Sequence, residues 1–411
     1  MMRMVFHRLF GRSQRISSTA LGALLVGACS GPAATTPDAA TPGDAATLDA
    51  FVVVDVGHDA PARPDGGSDA GPGLVGTGIR WIDYGWPIDL TPDGSIASIE
   101  DPASTNGDLY LFDVATAALR LVTSVGDPSQ DFATGMSAAA RVTALHGVPV
   151  VAGSWTSAGG WHDEPDVFAT GCDMNRAGAW DVSADGTVMV GFAWNGCVPL
   201  AYRWVTSGGA TTATALTQLG STGTAMPPVN RATVVSDDGH VAAGFAQTDM
   251  VDRWPAIWRD DGTSTMLPGM QLDAPGEVLA INTDGSVVAG VWNLEGFVWS
   301  QAGGVVSLGT LPGSLGGDTT TPNAVAAGGA LVFGGSGSFG STTAFVWTST
   351  AGMLPLADQL VAAGITLPGG YVLTNVIAAS SDGTVILGNA MTPAGSTLTF
   401  VARVPVSAFG L

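Results

Sequence analysis

The strongest constraint on this chain is a short stretch that it repeats about every fifty residues. The stretch reads DVSADGTVMVG at 181–191 and returns as VVSDDGHVAAG at 234, AINTDGSVVAG at 280 and AASSDGTVILG at 378, with a looser DLTPDGSIAS at 89. In each copy Asp-Gly separates two short runs rich in β-branched residues, which predicts a hairpin with a two-residue type I′ turn. The chain therefore repeats one β-hairpin, as proteins built from stacked supersecondary units do.

Two more elements follow each hairpin and complete the unit. A short apolar strand comes 14 to 19 residues after the turn glycine, and a Leu-centred run such as LTQLG, TMLPGM, VVSLGTL or GMLPLADQL comes next. One unit therefore holds four short strands. The apolar strands share a central residue, which is aromatic in all but the last: Phe112, Trp204, Trp258, Trp299, Trp347 and Ala402.

The turn glycines give the register of the repeat. Clear copies and two weaker ones, at Gly147 and Gly329, are separated by 53, 39, 53, 46, 44 and 54 residues, a mean of about 48. Seven units of four strands predict an all-β fold, a β-propeller in which the third-strand aromatic fills the gap between blades. A β-solenoid is the alternative architecture, and six or eight blades remain open. The clear copies are Gly94, Gly186, Gly239, Gly285 and Gly383.

The repeated pattern resembles the extracellular HAF repeats of bacterial surface proteins. TAFVWTSTAGMLPL at 343–356, followed by AASSDGTVILG, matches best, and the resemblance covers residues 173–405, with 86–172 matching more loosely. It implies a propeller-like domain outside the cytoplasm and brings no reaction with it. The His that helps to name those repeats is replaced here by Leu200, Pro255, Glu295 and Thr343.

The last unit lacks a convincing fourth strand, because only SAFGL follows TFVARVP. The segment GIRWIDYG at 78–85 precedes the first unit and has no partner of its own. Pairing residues 78–84 with the strand around Phe400–Val404 removes two exposed sheet edges at once. We therefore predict that the N-terminal strand closes the ring.

The N-terminus carries export signals. Four Arg precede the short apolar run ISSTALGALLVGACS, so residues 1–28 are predicted to be a signal peptide. Val26 to Cys29 resembles the lipobox of bacterial lipoproteins, which implies lipidation of Cys29 and a bacterial outer-membrane lipoprotein, periplasmic or surface-exposed. An ordinary signal peptide is the alternative. Residues 29–75 are rich in Ala, Pro, Asp and Gly and are predicted to form a disordered tether, and 76–411 the propeller.

The composition excludes several classes of partner and several kinds of catalytic site. Residues 76–411 hold 28 of the 35 acidic residues and 9 of the 14 Arg, a net charge of −19, so we predict no nucleic-acid partner. No Lys occurs, which excludes Walker A loops, Schiff bases and Ser-Lys pairs. G-x-S-x-G and H-E-x-x-H are also absent. We predict no catalytic residue, no metal, no cofactor and a monomer attached to the membrane only through Cys29.

Cysteine usage predicts one disulfide. Three cysteines occur, and if Cys29 carries lipid, Cys172 and Cys197 remain as an even pair in an exported protein. Two buried free thiols are the alternative.

One segment has a composition that suits a ligand site. SWTSAGGWHDEPDVF at 154–168 gathers aromatic and acidic residues in what the sequence presents as one long connection. An exposed Trp can stack on a sugar ring and carboxylates beside a His can hold a ligand, whereas the alternative is an ordinary acidic surface loop. The predicted ligand-binding residues are Trp155, Trp161, His162, Asp163, Glu164, Asp166 and the nearby Trp194.

Two functions from different classes fit these observations. The first is a surface-displayed, non-catalytic binding or scaffold protein that contacts a glycan, protein or matrix partner through loops on one face of the ring. The second is a secreted propeller enzyme, a glycosidase or lyase, with acidic residues at the central opening. Whether carboxylates crowd one mouth of the ring distinguishes the two.

Replacing Cys29 with Ala should release the protein from the membrane fraction, because the lipid would be its only anchor. Cell fractionation and intact-mass analysis check this. Unchanged partitioning, together with a mass that lacks acyl chains in the unaltered protein, would contradict the prediction.

Overall fold

The predicted all-β propeller is confirmed, with seven sheets of four antiparallel strands. The computed structural model describes residues 73–83, 85–101, 108–124, 132–147, 150–165, 167, 176–195, 198–220, 229–248, 252–268, 275–313, 318–338 and 341–411. The predicted signal peptide, Cys29, nearly all of the tether, and the Cys172–Cys197 disulfide lie outside these residues.

Blades 1 to 6 take their strands in chain order, from the innermost to the outermost. Blades 1 to 3 consist of β2 (Trp86–Leu90), β3 (Ile96–Asp101), β4 (Asp108–Asp113) and β5 (Leu119–Ser124); β6 (Phe132–Met136), β7 (Val142–His146), β8 (Val151–Thr156) and β9 (Gly160–Asp163); and β10 (Ala177–Val182), β11 (Val188–Asn195), β12 (Val198–Ser207) and β13 (Ala210–Ala215). Blades 4 to 6 consist of β14 (Asn230–Val235), β15 (Val241–Thr248), β16 (Asp252–Arg259) and β17 (Ser264–Met266); β18 (Gly276–Ile281), β19 (Val287–Trp292), β20 (Glu295–Ser300) and β21 (Gly304–Ser307); and β22 (Thr319–Ala326), β23 (Leu331–Ser338), β24 (Ser341–Thr348) and β25 (Gly352–Pro355).

Blade 7 joins the two ends of the described chain. It consists of β26 (Val372–Ala379), β27 (Val385–Met391), β28 (Thr397–Arg403) and, as its outer strand, β1 (Gly78–Ile82). The pairing of β1 with β28 runs from Gly78 opposite Arg403 to Ile82 opposite Thr399, which confirms the predicted closure. Within the described ranges, the remaining elements are one helix, α1 (Leu356–Ala362), and the 3₁₀ turns Ala327–Gly329 and Val406–Phe409.

The turn type was predicted wrongly. A type I′ turn needs positive φ at both central residues, but in the 183–188 hairpin only Gly186 has one, with φ 74°. Gly186 N–H donates to the Ser183 carbonyl at 2.9 Å, and Ser183 N–H donates to the Val188 carbonyl at 2.8 Å. These bonds define a type I turn followed by a glycine bulge. In this turn the Asp185 carboxylate accepts hydrogen bonds from Ser183 Oγ and the Thr187 N–H.

The repeated Ser and Asp side chains hold this turn together. Ser380 Oγ donates to Asp382 Oδ1 at 2.6 Å and accepts the Val385 N–H at 2.9 Å, and Thr384 N–H donates to the same carboxylate at 2.9 Å. Burial raises the pKa of Asp382, but the hydrogen bonds from Ser380 and Thr384 outweigh it and leave the pKa below its usual range. Since the folded pKa is lowered, this carboxylate stabilises the ring above about pH 4 and the contribution is lost as the pH falls further.

The turn glycine is also the contact point between blades. A Cβ on Gly285 would lie 2.4 Å from the Cβ of Val241 in the preceding blade, and one on Gly329 would lie 2.5 Å from Cγ2 of Val287. Positive φ and close approach therefore both require glycine at this position. The motif D-G-x-V repeats because a turn glycine packs on an apolar residue of the preceding blade, which stands two positions after that blade's own turn glycine. Gly186 is the exception, since it faces Ser137 and Arg141 of blade 2.

The second glycine of the motif faces a bulge in the innermost strand. The pairing of β10 with β11 shifts between Ala179 and Asp181, and a Cβ on Gly191 would lie 1.9 Å from the Gly178 carbonyl oxygen. The backbone thus leaves no room for a side chain opposite the bulge. Glycine recurs at the same place for the same reason in Gly244, Gly290, Gly334 and Gly388.

The prediction that the third-strand aromatic residue fills the gap between blades is confirmed, and we call this residue the wedge. Trp258 is 2% exposed, packs on Val188 and Val190 of blade 3, and donates its indole N–H to the Thr217 carbonyl at 2.7 Å. Trp347 packs in the same way on Val298 of blade 5. Each interface thereby buries a large apolar area that a four-stranded blade cannot cover alone.

Deleting residues 76–85 should lower the thermal midpoint by at least about 5 °C, because it removes β1 and exposes the edge of β28. Deleting the ten residues 31–40 is the matched control and should leave the midpoint unchanged. Calorimetry on both variants checks this, and equal midpoints would show that β1 contributes nothing to closure.

Replacing Ser380 with Ala should lower the free energy of unfolding by about 1–3 kcal/mol, because it leaves the buried Val385 N–H without its acceptor. Ser349, which is exposed in another turn, provides the control substitution Ser349→Ala, which should cost less than about 0.5 kcal/mol. Urea denaturation measures both values. Equal losses would refute the assigned role of Ser380.

Candidate functional site

Blade 2 departs from the repeat, and the candidate site lies there. Gly147, taken from the sequence as its turn glycine, instead follows β7, so that register mark was wrong. The hairpin between the first two strands turns at 137–141, with Ala140 at φ 56°. Measured from Ala140, the spacing to Gly94 is 140 − 94 = 46 and to Gly186 is 186 − 140 = 46, which restores a regular period.

This turn is one residue shorter than the others. Ser137 N–H donates to the Arg141 carbonyl, four residues on, whereas Ser183 N–H reaches the Val188 carbonyl, five residues on. Blade 2 therefore lacks both the turn glycine and the apolar residue that normally follows it. The consequences differ on its two sides.

On the side of blade 1, a cleft of about 330 Å³ opens between the blades. Three hairpin turns meet there, the 113–118 turn of blade 1 and the 137–141 and 157–159 turns of blade 2. The volume lies within the roughly 300–1,000 Å³ of small-molecule sites. The lining residues are Ile96, Leu111, Asp113, Ala118, Arg120, Ala139, Ala140, Trp155 and Ser157.

The cleft combines an aromatic and aliphatic interior with a polar rim. Trp155 is 6% exposed and packs with Leu111, and Ile96 lies against the same cluster. At the rim, Asp113 accepts the Thr116 N–H at 2.8 Å, which orients its carboxylate. Apolar surface beside a few fixed polar groups is the usual composition of a ligand site.

On the side of blade 3, an ion pair replaces the apolar contact. Arg141 donates to the Gly186 carbonyl at 2.6 Å and to Glu164 at 2.8 Å, and Ser154 Oγ donates to Glu164 at 2.6 Å. The Glu164 side chain is fully buried. Removing one member of such a pair leaves a buried charge, so this group fixes the β8–β9 hairpin beside blade 3.

The predicted ligand segment is mostly a hairpin rather than one long connection. Residues 154–163 fall in β8, a turn and β9. Trp155 pairs with Val142 just as Trp204 pairs with Met189, so Trp155 is blade 2's copy of the wedge. Writing VAGSWT beneath LAYRWV shows this correspondence from sequence.

The other predicted residues occupy different environments. Trp161 is half-buried and stacks on His146 with ring centroids 4.9 Å apart, and His146 Nδ1 lies 2.7 Å from Asp163 Oδ1. His162 and Asp163 are exposed, whereas Glu164 is buried. Trp194 is buried in β11, and Asp166 lies outside the described residues.

Three carboxylates, those of Asp89, Asp181 and Asp237, line the central opening, and the first two are held by the following blade. Asp89 Oδ2 accepts the Met136 N–H at 2.8 Å, and Asp181 Oδ2 accepts the Val235 N–H at 2.9 Å. The cavity there measures only about 90 Å³. Such carboxylates link blades, and the space suits a few waters rather than a sugar.

A contact across the ring narrows this opening further. Ser381 Oγ of blade 7 donates to Asp237 Oδ2 of blade 4 at 2.6 Å. Around it, backbone N–H groups donate to carbonyls of the next blade at 2.7–3.1 Å: Ala138 to Ala184, Ala184 to Asp237, Asp238 to Thr283, Ala327 to Ser381 and Ser381 to Pro92. These contacts join the hairpin turns around the axis and close the opening at this end of the ring.

Within the described part of the chain, no group of three His, Cys, Asp or Glu side chains could hold a metal ion. No helix among the same residues has the length and apolarity needed to cross a membrane.

Comparisons with known proteins support the fold alone. No family model matches the chain, and no curated protein matches it either. A streptogramin B lyase structure has TM-score 0.50 and 10% identity over 79% of this chain and 97% of its own. A puromycin hydrolase mutant has TM-score 0.51 and 13% identity over 78% of this chain and 52% of its own.

TolB from Acinetobacter baumannii has TM-score 0.41 and 12% identity. The match covers 76% of this chain but only 64% of the TolB chain.

Proposed function

We propose that this chain is a non-catalytic binding protein of the bacterial cell envelope, lipidated at Cys29 and displayed on its tether. The cleft between blades 1 and 2 carries the proposal, because it is the place where a regular interface opens into a ligand-sized space. The resemblance to HAF-type surface repeats supports a location outside the cytoplasm.

The ligand we propose is a short segment of a glycan. Trp155, which is 6% exposed, contributes apolar surface to the cleft wall. Asp113 and Ser157 at the rim supply the carboxylate and hydroxyl that sugar hydroxyls require. The exposed His162 and Asp163 lie on β9 and extend the contact surface of the same blade.

The alternative, a propeller enzyme, has one observation in its favour. Asp89, Asp181 and Asp237 all line the central opening. A hydrolytic pair needs one carboxylate free to exchange a proton, and the hydrogen bonds to Met136 N–H and Val235 N–H favour an inter-blade role for two of them. The binding function is therefore the better supported of the two.

Replacing Ala118 with Trp should abolish glycan binding, because the larger side chain fills the cleft from an exposed turn without disturbing the core. Ala302→Trp is the matched control, since Ala302 is exposed in the equivalent turn of blade 5. A glycan array selects the ligand, and calorimetry then measures its affinity for each variant, with a loss of at least about 100-fold expected only for Ala118→Trp.

Thermal midpoints within about 2 °C of the unaltered protein establish that both variants fold. Equal affinities for the two variants, or an array on which the unaltered protein binds nothing, would refute the cleft as a glycan site.

A further inference from the structure

One face of blade 1 turns a set of side chains toward the cleft. In the pairing of β3 with β4, Ile96 lies opposite Asp113. In the pairing of β4 with β5, Leu111 lies opposite Arg120. Residues opposite each other on neighbouring strands share a face of the sheet, as do residues two apart on one strand. All four residues line the cleft, so this face of blade 1 forms its wall.

This wall carries one cation. Arg120 is exposed, and within the described part of the chain its guanidinium has no hydrogen bond and no ion pair. By contrast, Arg141 donates to Glu164 at 2.8 Å, and Arg203 donates to a backbone carbonyl of blade 4 at 2.8 Å. A guanidinium offers five N–H donors in a planar fork. Arg120 therefore presents its donors to whatever enters the cleft.

The same wall carries a carboxylate that does not neutralise this cation. Asp113 is a diagonal neighbour of Arg120, because Arg120 pairs with Leu111, two residues before Asp113. The two charged groups form no ion pair, and the Asp113 carboxylate instead accepts the Thr116 N–H at 2.8 Å. The cleft wall therefore offers an oriented anionic acceptor and, beside it, a cationic donor.

We propose that the cleft selects an acidic glycan and that Arg120 binds the carboxylate of a uronic acid residue, an inference that rests on the proposed glycan-binding function. A uronate carboxylate is planar and accepts two parallel N–H bonds from a guanidinium. Hydroxyls of the same sugar ring donate to the Asp113 carboxylate. One uronic acid residue thereby provides a partner for both charged groups of the wall.

A neutral sugar fits this wall less well. A ligand that covers Arg120 removes water from the guanidinium, and sugar hydroxyls return only neutral acceptors, which bind it more weakly than a carboxylate does. The strongly acidic surface of the domain repels an anionic polymer elsewhere. Binding of an acidic glycan should therefore depend on Arg120 more than on any general attraction to the protein.

Matched oligosaccharides test the ligand class with the full chain. Calorimetry compares oligosaccharides of glucuronic, galacturonic and mannuronic acid with their carboxyl-reduced, neutral counterparts and with 6-O-sulfated forms of those counterparts. At least one uronate should bind at least about tenfold more tightly than its neutral counterpart, with an affinity that falls as NaCl is added. Neutral counterparts that bind equally well would overturn this inference and leave the proposed function standing. Sulfated forms that bind as tightly as the uronates, or uronates that do not bind, would also overturn it, whereas the glycan array tests the proposed function separately.

The variant Arg120→Gln tests the assigned contact. It should lower the affinity for the uronate by at least about tenfold and leave the affinity for the neutral counterpart unchanged. Arg176→Gln is the matched control, because Arg176 is also exposed and carries the same charge but does not line the cleft. Equal losses in the two variants would indicate a general effect of charge and overturn the role of Arg120. Equal losses for the uronate and its neutral counterpart in Arg120→Gln would do the same.

Discussion

The ring depends on one contact that recurs between blades, the turn glycine of each hairpin against an apolar residue of the blade before it. At Gly285 the Cβ of an alanine would lie 2.4 Å from Val241, so the two backbones approach as closely as their atoms permit. Because the blades approach this closely, the third-strand tryptophan of one blade packs on the blade before it, and both faces of each sheet become buried. A four-stranded sheet cannot cover both of its faces alone, and here the neighbouring blades cover them.

Among the described blade interfaces, this contact is replaced in blade 2, and the site follows from that replacement. Ala140 stands in a shortened turn, and Arg141 occupies the position of the apolar residue. Without the close contact a cleft opens toward blade 1, and toward blade 3 the interface is kept by the Arg141–Glu164 pair. The ion pair gives specific geometry where apolar packing is lost, which suits a hairpin that must hold the cleft wall in position.

The axis of the ring shows why acidic residues near a propeller's centre do not by themselves indicate catalysis. Asp89 and Asp181 bind backbone N–H groups of the following blade, and Asp237 meets Ser381 from the far side. These bonds tie the innermost strands together where the blades are closest. Their position at the opening is shown only by the structure, and there they link blades.

The sequence by itself determined the repeat, the four-strand unit, the wedge tryptophans and the closure by β1, because each depends on local turn chemistry and on strand periodicity. It predicted the turn type wrongly, since Asp-Gly fits both a type I′ turn and the type I turn with a glycine bulge, and only the Ser183–Val188 pairing decides between them. It also placed the turn of blade 2 wrongly, because the sequence around Gly147 matches the repeat but lies after β7, in the following hairpin. Only the tertiary structure decided that Trp155 is a wedge, that Glu164 is buried against Arg141, and that Asp113 and Ser157 share a cleft. These contacts join residues on different strands and blades, whose distances depend on how the blades pack rather than on any spacing in the chain.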